Sequence, residues 1–260
     1  MTKHEMRTVR LLEMLQVNKR LDVKTVASNL KISEATVRRL FSKLEKEEKV
    51  IRIHGGVQLA PELGYDYSYR VATHHRKKEK SMIGNQAVEM IENGNRIFLD
   101  SGTTVLKLAQ ALSLKVQTGE LKDIVVLTNS LTHIETIARW AKVILIGGEI
   151  RVERRDVCGS IAEKVLGMFH VDKAFFGADA VSLKGGFMTT DERTAKMNEI
   201  VIEHADRSYC LVDSEKFRKT SFISYAALDQ IDFIYTDVDV PEEVVDSFSS
   251  AGAAITIVKK

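Results

Sequence analysis

The sequence predicts two domains of different class: a small helical domain that ends in a β-hairpin, followed by a larger, mostly parallel α/β domain. Three amphipathic helical patterns fill the first 46 residues and precede a β-rich run that ends in two glycines. Beyond residue 80, strand-like and helix-like segments alternate, which is typical of βαβ units. With 260 residues, 44% of them apolar, the chain is long enough for one small and one larger domain.

Composition narrows the class of protein. No run of about 18 uncharged apolar residues appears, and the N-terminus, MTKHEMRTVR, lacks the apolar stretch of a signal peptide. We therefore expect a cytoplasmic protein that has no contact with a membrane. The two cysteines, Cys158 and Cys210, have neither a C-x-x-C spacing nor neighbouring histidines, so we expect reduced structural thiols, no metal and no cofactor.

The net charge of +2 is unevenly distributed. Residues 1–56 hold 13 Lys and Arg against 7 Asp and Glu, a net charge of +6, which leaves −4 on the remainder. A basic segment on a mildly acidic chain suggests that this segment binds a polyanion. A solvated, lysine-rich helical surface would explain the charge equally well.

The N-terminal patterns predict a core of three helices. The apolar positions on one face of each helix are Val9, Leu11, Leu12 and Leu15, then Val23, Val26, Ala27 and Leu30, then Val37, Leu40, Phe41 and Leu44. Asp22 and Ser33 are the expected N-caps of the second and third helices. The short KIS joint before the third helix predicts a helix-turn-helix arrangement.

Residues opposite the apolar stripe of the third helix are suited to the major groove of DNA: Glu34, Ala35, Thr36, Arg38 and Arg39. The following VIRIHGG run predicts a hairpin wing that carries Arg52 and His54 to the DNA backbone. A small helical bundle used for dimerisation is the alternative. We place this DNA-binding domain at residues 1–57.

Residues 58–80 are predicted to be a linker because no periodicity spans them. They contain three tyrosines at every second position, Tyr65, Tyr67 and Tyr69, which could pack as an extended arm. The adjacent His74 and His75 diverge on a helix or a strand, so a solvated pair is favoured over a metal site. The second domain is placed at residues 81–260.

Seven strands are predicted in the second domain: 96–99, 123–128, 142–147, 173–177, 209–213, 233–237 and 255–259. Helical patterns lie between most of them, as in TVLKLAQAL, LTHIETIARWA and AKMNEIVIEHA. This alternation predicts a mostly parallel sheet with helices on both faces. Such sheets bind ligands beyond the carboxyl ends of their strands.

Small polar residues follow the first three predicted strands. They are Asp100, Ser101, Gly102, Thr103 and Thr104 after the first, Asn129 and Ser130 after the second, and Gly147 and Gly148 after the third. A helix N-terminus at such a point favours a phosphate group. Ordinary helix capping is the alternative for each. Neither G-x-G-x-x-G nor a Gly-Lys-Ser/Thr loop is present, which disfavours dinucleotide and nucleoside triphosphate binding.

The run SEATVRRLFSKLEKEEKVIRIHGGV resembles the N-terminal winged helix of the DeoR family of bacterial sugar-metabolism regulators. The segments FLDSGTT, VLTNSL, LIGGEIR, CGSIAE, FFGADAV, GGFMT and LVDSEKF are similar to the family's effector domain, in family order. The resemblance implies a sugar-phosphate-isomerase-like α/β effector domain. It also implies that Ser33, Thr36, Arg38, Arg39, Arg52 and His54 contact DNA or set the helix that does.

The same resemblance implies an effector site made of Asp100, Ser101, Gly102, Thr103, Thr104, Asn129, Ser130, Gly148, Arg151 and Lys216. A cation such as Arg151 or Lys216 is what a phosphate requires. The sequence departs from the family in two places. Leu40-Phe41 replaces the usual Asp-Leu, and Thr194 and Asn198 replace an acid and a lysine.

An isomerase is the rival class. The GADAVSLKGG stretch offers Asp179 and Lys184, and Asp191 or Glu192 could supply a further acid for proton transfer between sugar carbons. A DNA-binding domain on the same chain favours binding without turnover, since an enzyme would consume its own signal. An oligomerisation scaffold without ligand does not explain the polar strand ends. We therefore predict a regulator, not an enzyme: a homo-oligomeric repressor, dimer or tetramer, of a carbohydrate operon, which a phosphorylated sugar releases from its operator DNA.

Overall fold

The computed structural model describes residues 3–18, 20–46, 50–53, 55–59 and 69–259. Two compact units divide the chain, Met1–Asp66 and Tyr67–Lys260, called the head and the body below. His54, Tyr65 and Tyr67 lie outside the described residues. None of the described helices is long and apolar enough to cross a membrane.

The head is a three-helix domain with a small antiparallel sheet. Its elements are α1 (Lys3–Asn18), β1 (Arg20–Asp22), α2 (Val23–Leu30), α3 (Glu34–Lys46), β2 (Val50–Ile53) and β3 (Gly56–Leu59). The strand order is β1-β3-β2. As predicted, the apolar stripe of α3 is buried, and Asp22 caps α2 by accepting a hydrogen bond from the Thr25 amide at 2.8 Å. These elements confirm the predicted winged helix-turn-helix fold.

The body begins with two helices and continues as alternating strands and helices. Its elements are α4 (Tyr69–His74), α5 (Lys77–Ala87), β4 (Arg96–Leu99), α6 (Thr103–Gln117), β5 (Val125–Thr128), α7 (Leu131–Ile137), β6 (Lys142–Leu145), β7 (Glu149–Arg151), β8 (Asp156–Cys158), α8 (Ser160–Leu166), β9 (Val171–Phe176), β10 (Ala180–Ser182), β11 (Gly186–Thr189), α9 (Glu192–Glu203), β12 (Ala205–Leu211), β13 (Ile223–Ala226), β14 (Phe233–Asp237), α10 (Glu242–Ser250) and β15 (Ile255–Val258).

One seven-stranded sheet organises the body, with strand order β15-β14-β12-β9-β4-β5-β6. All six pairings in it are parallel, and its strands correspond to the seven predicted ones. Apolar residues are buried on both faces because helices cover both. In β4, Phe98 packs into one core while Ile97 and Leu99 pack into the other. The predicted parallel α/β domain is therefore confirmed.

Two small antiparallel units were absent from the prediction. The hairpin β7–β8 follows the third parallel strand, and the sheet β10-β11-β13 stands apart from the main sheet. Their strands are three or four residues long, too short for an alternating pattern to be distinguished from a loop.

The predicted linker is wrong over residues 69–80. Tyr69–His74 and Lys77–Ala87 are helices of the body. The buried residues of α5 are Lys80, Ile83, Gly84 and Ala87. The apolar stripe therefore has a lysine in its first position, and the helix begins at Lys77, before the predicted domain boundary at residue 81. Gly84 brings α5 close to α6, because a Cβ atom there would lie 2.5 Å from the Leu108 nitrogen and from the Lys107 carbonyl carbon.

Candidate functional site

The DSGTT segment turns the chain from β4 into α6. Gly102 is the N-cap of α6 and has no side chain with which to cap it. The first amides of α6 therefore keep their N–H groups available at the positive end of the helix dipole. This is the geometry that favours a bound anion.

A cavity lies beside this turn at the carboxyl ends of β4, β9 and β12. The residues that line it are Ala72, Lys80, Asp100, Ser101, Gly102, Thr103, Thr104, Arg154, Asp156, Gly177, Ala178, Asp179, Thr189, Thr194, Leu211, Val212 and Lys216. Six of the ten predicted effector residues are among them, namely Asp100 through Thr104 and Lys216.

Lys80 also lines the cavity, although it is not among the predicted effector residues. Its side chain is buried, with the residue 3% exposed. The Nζ atom donates to the Ala72 carbonyl at 2.7 Å and to the Thr103 hydroxyl at 3.0 Å. Burial lowers the pKa of Lys80 to about 8, although the nearby Asp213 carboxylate acts in the opposite direction.

Asp100 is a buried carboxyl group at the floor of the cavity. Its Oδ2 accepts the Gly177 amide at 3.3 Å, whereas Oδ1 has no partner among the described residues. Burial raises the pKa of Asp100 to about 6. An unpaired buried oxygen is costly, so Oδ1 is suited to a donor such as a ligand hydroxyl.

Arg151, which the resemblance places in the effector site, does not line the cavity. It donates to both carboxylate oxygens of Asp156, at 2.8 and 2.7 Å, and also to Asp191 and Thr194. Asp156 in turn accepts from the Ser101 hydroxyl at 3.0 Å. The Arg151 side chain therefore links the β7–β8 hairpin to the start of α9. Through Asp156 and Thr194 it also contacts residues that line the cavity.

The other three predicted effector residues also lie outside the cavity. The Asn129 side chain donates to the Val157 carbonyl at 3.3 Å. Ser130 caps α7 and shares a hydrogen bond with Thr132. At Gly148 a Cβ atom would lie 2.5 Å from the Cys158 carbonyl oxygen. These residues pack the hairpin and α7 against the sheet.

The residues of the isomerase alternative are not brought together. Asp179 lines the cavity and accepts hydrogen bonds from Thr189 and Thr190. Lys184 is exposed in the turn between β10 and β11. Asp191 caps α9 and pairs with Arg151. The carboxylate and the cation of that alternative thus face different surroundings.

Two departures from the family pattern lie on α9. Thr194 lines the cavity and accepts from Arg151 at 2.9 Å. Asn198 is buried one turn further along, and its Nδ2 has no partner among the described residues. Within the described ranges no three His, Cys, Asp or Glu side chains form a group that could hold a metal ion. Both cysteines are buried free thiols.

In the head, one surface of α3 collects basic side chains. A shallow groove there is lined by Arg38, Arg39, Ser42, Lys43 and Lys46. The predicted DNA-contacting residues Arg38 and Arg39 are exposed on it. The Ser33 hydroxyl accepts the Thr36 amide at 3.3 Å and also contacts the Thr36 hydroxyl. Ser33 and Thr36 therefore set the start of the helix.

Phe41 is one of the two residues at which the head departs from the family pattern. Its ring is fully buried, and the Arg52 guanidinium lies 5.4 Å from the ring centroid, within cation–π range. The aromatic ring thereby fixes the base of the hairpin against α3. The other predicted wing residue, His54, lies outside the described part of the chain.

Comparison with known proteins gives consistent results for both units. The model of the DeoR-like helix-turn-helix domain matches residues 7–62, and that of the DeoR C terminal sensor domain matches residues 75–238. The chain is 31% identical over 235 residues to the HTH-type transcriptional repressor GlcR of Bacillus subtilis, covering 90% of this chain and 88% of that protein. It is 33% identical over 229 residues to the lactose phosphotransferase system repressor of Streptococcus mutans, covering 85% and 88%.

Among solved structures, ribose 5-phosphate isomerase A of Methanocaldococcus jannaschii is similar over 54% of each chain, with 20% identity and a TM-score of 0.41. The family models and the named repressors confirm the prediction of a DNA-binding regulator rather than an enzyme. The match to the sensor domain alone spans more than half of this chain, and the chain therefore belongs to the DeoR family of transcriptional regulators.

Proposed function

We propose that this protein represses a carbohydrate operon and that a phosphorylated sugar, bound in the body cavity, releases it from operator DNA. Relatives named for sugar systems support this assignment, including the lactose phosphotransferase system repressors and a putative aga operon repressor of Escherichia coli that is 26% identical over 256 residues. The proposal places the protein in the cytoplasm, where operator DNA and sugar phosphates are both present.

The observation that carries the proposal is the composition of a single cavity. It contains several hydrogen-bond donors that suit an anion and one acceptor atom that has no partner among the described residues. Lys80 and Lys216 line it together with the N-terminus of α6. Two ammonium groups and free helix amides suit a phosphate group. The Asp100 Oδ1 atom, which lacks a partner among the described residues, suits a sugar hydroxyl. One molecule that contains both groups is a phosphorylated sugar.

Repression requires that the body influence the head. In the proposed cycle, a homo-oligomer, dimer or tetramer, places two α3 surfaces in successive half-sites of the operator. The sugar phosphate prefers the arrangement in which the half-sites no longer match. Ordinary coupling of this kind is about 1–3 kcal/mol, which corresponds to roughly 5- to 150-fold in DNA affinity.

Thermal unfolding of the purified protein tests the proposal. Glucose 6-phosphate, fructose 6-phosphate and fructose 1-phosphate are each compared with the unphosphorylated sugar. A ligand that binds only the folded state at about 100 times its Kd stabilises it by about 2.7 kcal/mol. We expect a phosphorylated sugar to raise the Tm and its unphosphorylated parent sugar to leave the Tm unchanged.

The matched variants are Lys216→Ala and Lys219→Ala. Lys219 lies three residues further along, pairs with Glu215 at 3.4 Å and does not line the cavity. The Tm increase should disappear in Lys216→Ala and persist in Lys219→Ala. Equal losses in both variants, or a DNA complex whose affinity no sugar phosphate changes, would contradict the proposed function.

A further inference from the structure

Helix α4 is the first described element of the chain after the head. Its start is tied to the body at two points. The Tyr69 amide donates to the Glu153 carbonyl at 3.2 Å, and the Tyr69 hydroxyl contacts the Thr132 hydroxyl at 2.8 Å. Tyr69 is itself buried. The helix is therefore held against the hairpin turn and α7.

The joint between α4 and α5 is fixed on its α5 side. Arg76 has a left-handed backbone conformation, with φ of 47°. Its guanidinium donates to Asp237 at 2.9 Å and to Asp239 at 2.7 Å. Because α5 is anchored in this way, any displacement of α4 relative to the body occurs on the N-terminal side of this joint.

Lys80 connects α4 to the cavity. It projects from α5, and its Nζ donates to the Ala72 carbonyl of α4 and to the Thr103 hydroxyl at the start of α6. An ammonium group has three donors. Two are used, and the third has no partner among the residues that the structure describes. Since Lys80 lines the cavity, a bound anion can accept the third without breaking the other two.

We propose that Lys80 transmits occupancy of the cavity to helix α4. With a pKa of about 8, Lys80 is already mostly charged at pH 7, so its hydrogen bonds are charge-assisted with or without a ligand. An anion that accepts the third N–H group adds a further hydrogen bond, which must break before the ammonium group can leave the Ala72 carbonyl. The liganded body therefore holds α4 more firmly than the empty one does. This inference rests on the proposed function, because it assigns a path from the same cavity to the first helix of the body.

Lys216 provides the matched comparison. It lines the same cavity, but it follows β12 and has no hydrogen bond to α4 among the described residues. Removing either lysine weakens the binding of an anion in the cavity. Only the removal of Lys80 also removes the hydrogen bond from a cavity lysine to the Ala72 carbonyl of α4.

The experiment is amide hydrogen exchange of the full chain over residues 69–74, with inorganic phosphate, glucose 6-phosphate, fructose 6-phosphate or fructose 1-phosphate. Potassium chloride at equal ionic strength is the control. The variants are Lys80→Met and Lys216→Met. Each is studied at a ligand concentration beyond which its Tm no longer increases. In wild type we expect a bound anion to slow exchange about two- to tenfold, the factor that one ordinary hydrogen bond supplies. Lys216→Met should keep this effect at saturation, whereas Lys80→Met should lose it and exchange faster even without ligand.

Wild-type protein alone can overturn the proposal. A sugar phosphate that raises its Tm without slowing exchange in α4 would show that the cavity binds but that Lys80 transmits nothing. If ligand slows amide exchange in α4 of saturated Lys80→Met as much as in wild type, Lys80 contributes to binding but does not transmit it to α4. If none of the probes raises the Tm of wild type, the proposed function fails first, and this inference fails with it.

Discussion

The head and the body hold positive charge in different settings. On the head, Arg38 has a side chain 58% exposed and sits on a groove open to solvent. In the body, Lys80 is 3% exposed and already donates two hydrogen bonds. The open surface suits a long polyanion that neutralises many charges weakly. The buried lysine suits a single small anion that must leave water to reach it.

This contrast makes the two sites differ in their physical response. Exposed charges are screened by salt, and they lose little hydration when the protein folds. Buried ones are screened much less, and their burial shifts their pKa values. Salt should therefore mainly affect the head, and pH between 4 and 9 should mainly affect the body.

The largest expected effect is at Asp100. Its folded pKa of about 6 lies above the unfolded value of 3.8, so the folded state binds more protons and stability is lost as the pH rises through 6. This amounts to about 3 kcal/mol at pH 7, taking 1.36 kcal/mol for each pKa unit and a shift of about two units. Asp100→Asn should raise the free energy of unfolding at pH 7 by up to that amount, and by far less at pH 4.5. Urea unfolding at both values tests this, and an equal gain at both would contradict it.

The second effect concerns base recognition by α3. Arg38→Ala should weaken the complex with a DNA fragment selected in vitro by about 1–3 kcal/mol, provided that Arg38 reaches a base edge. Lys46→Ala, at the other end of α3, should reduce specific and non-specific binding slightly and alike. Equal losses of specific binding from both variants would indicate that the groove recognises only the DNA backbone.

The third effect separates the two sites by pH. Burial lowers the pKa of Lys80 to about 8, Asp213 and Glu215 counteract this, and Lys216 and Lys219 reinforce it. Sugar phosphate affinity should therefore fall roughly tenfold between pH 7 and pH 9 as Lys80 loses its proton. Lys80→Met should bind more weakly at pH 7 and show no step near pH 8. Binding of DNA by the head arginines should not change over this range, because arginine stays charged.

The smallest effect is expected for an exposed charge on the head. Glu34 lies 3.8 Å from Arg38, and both side chains are about half exposed. Glu34→Gln should change the free energy of unfolding by less than about 0.5 kcal/mol, since exposed ion pairs contribute little. A loss comparable in size to the effect of Asp100→Asn would remove the contrast between the two units.

Much of the fold could be predicted from the sequence because long apolar patterns determine it. The stripe of Val37, Leu40, Phe41 and Leu44 is buried as predicted, and strand 96–99 is found at its predicted bounds. The first turn of α5, residues 77–80, was included in the predicted linker because the buried Lys80 occupies a position where a helical stripe usually has an apolar residue. A lysine at a stripe position is a signal that sequence reasoning can use.

The candidate site was predicted only in part. The turn at DSGTT was found because a strand, a glycine and a helix start occur together in the sequence. The resemblance to the family places Arg151 in the effector site, and in the structure Asp156 and Asp191 form ion pairs with it. Such pairing depends on residues 5 and 40 positions away meeting in space, and sequence spacing alone does not indicate it. The same holds for Asp179, which reaches the cavity from the β9–β10 connection.

The close approach of α5 and α6 at Gly84 has a consequence for affinity. The two helices carry Lys80 and Thr103, so their backbone contact fixes the separation of the ammonium group from the amides at the start of α6. The proposed anion site is thus preorganised before any ligand arrives. Little conformational entropy is then lost on binding, and more of the interaction energy remains available to act on α4.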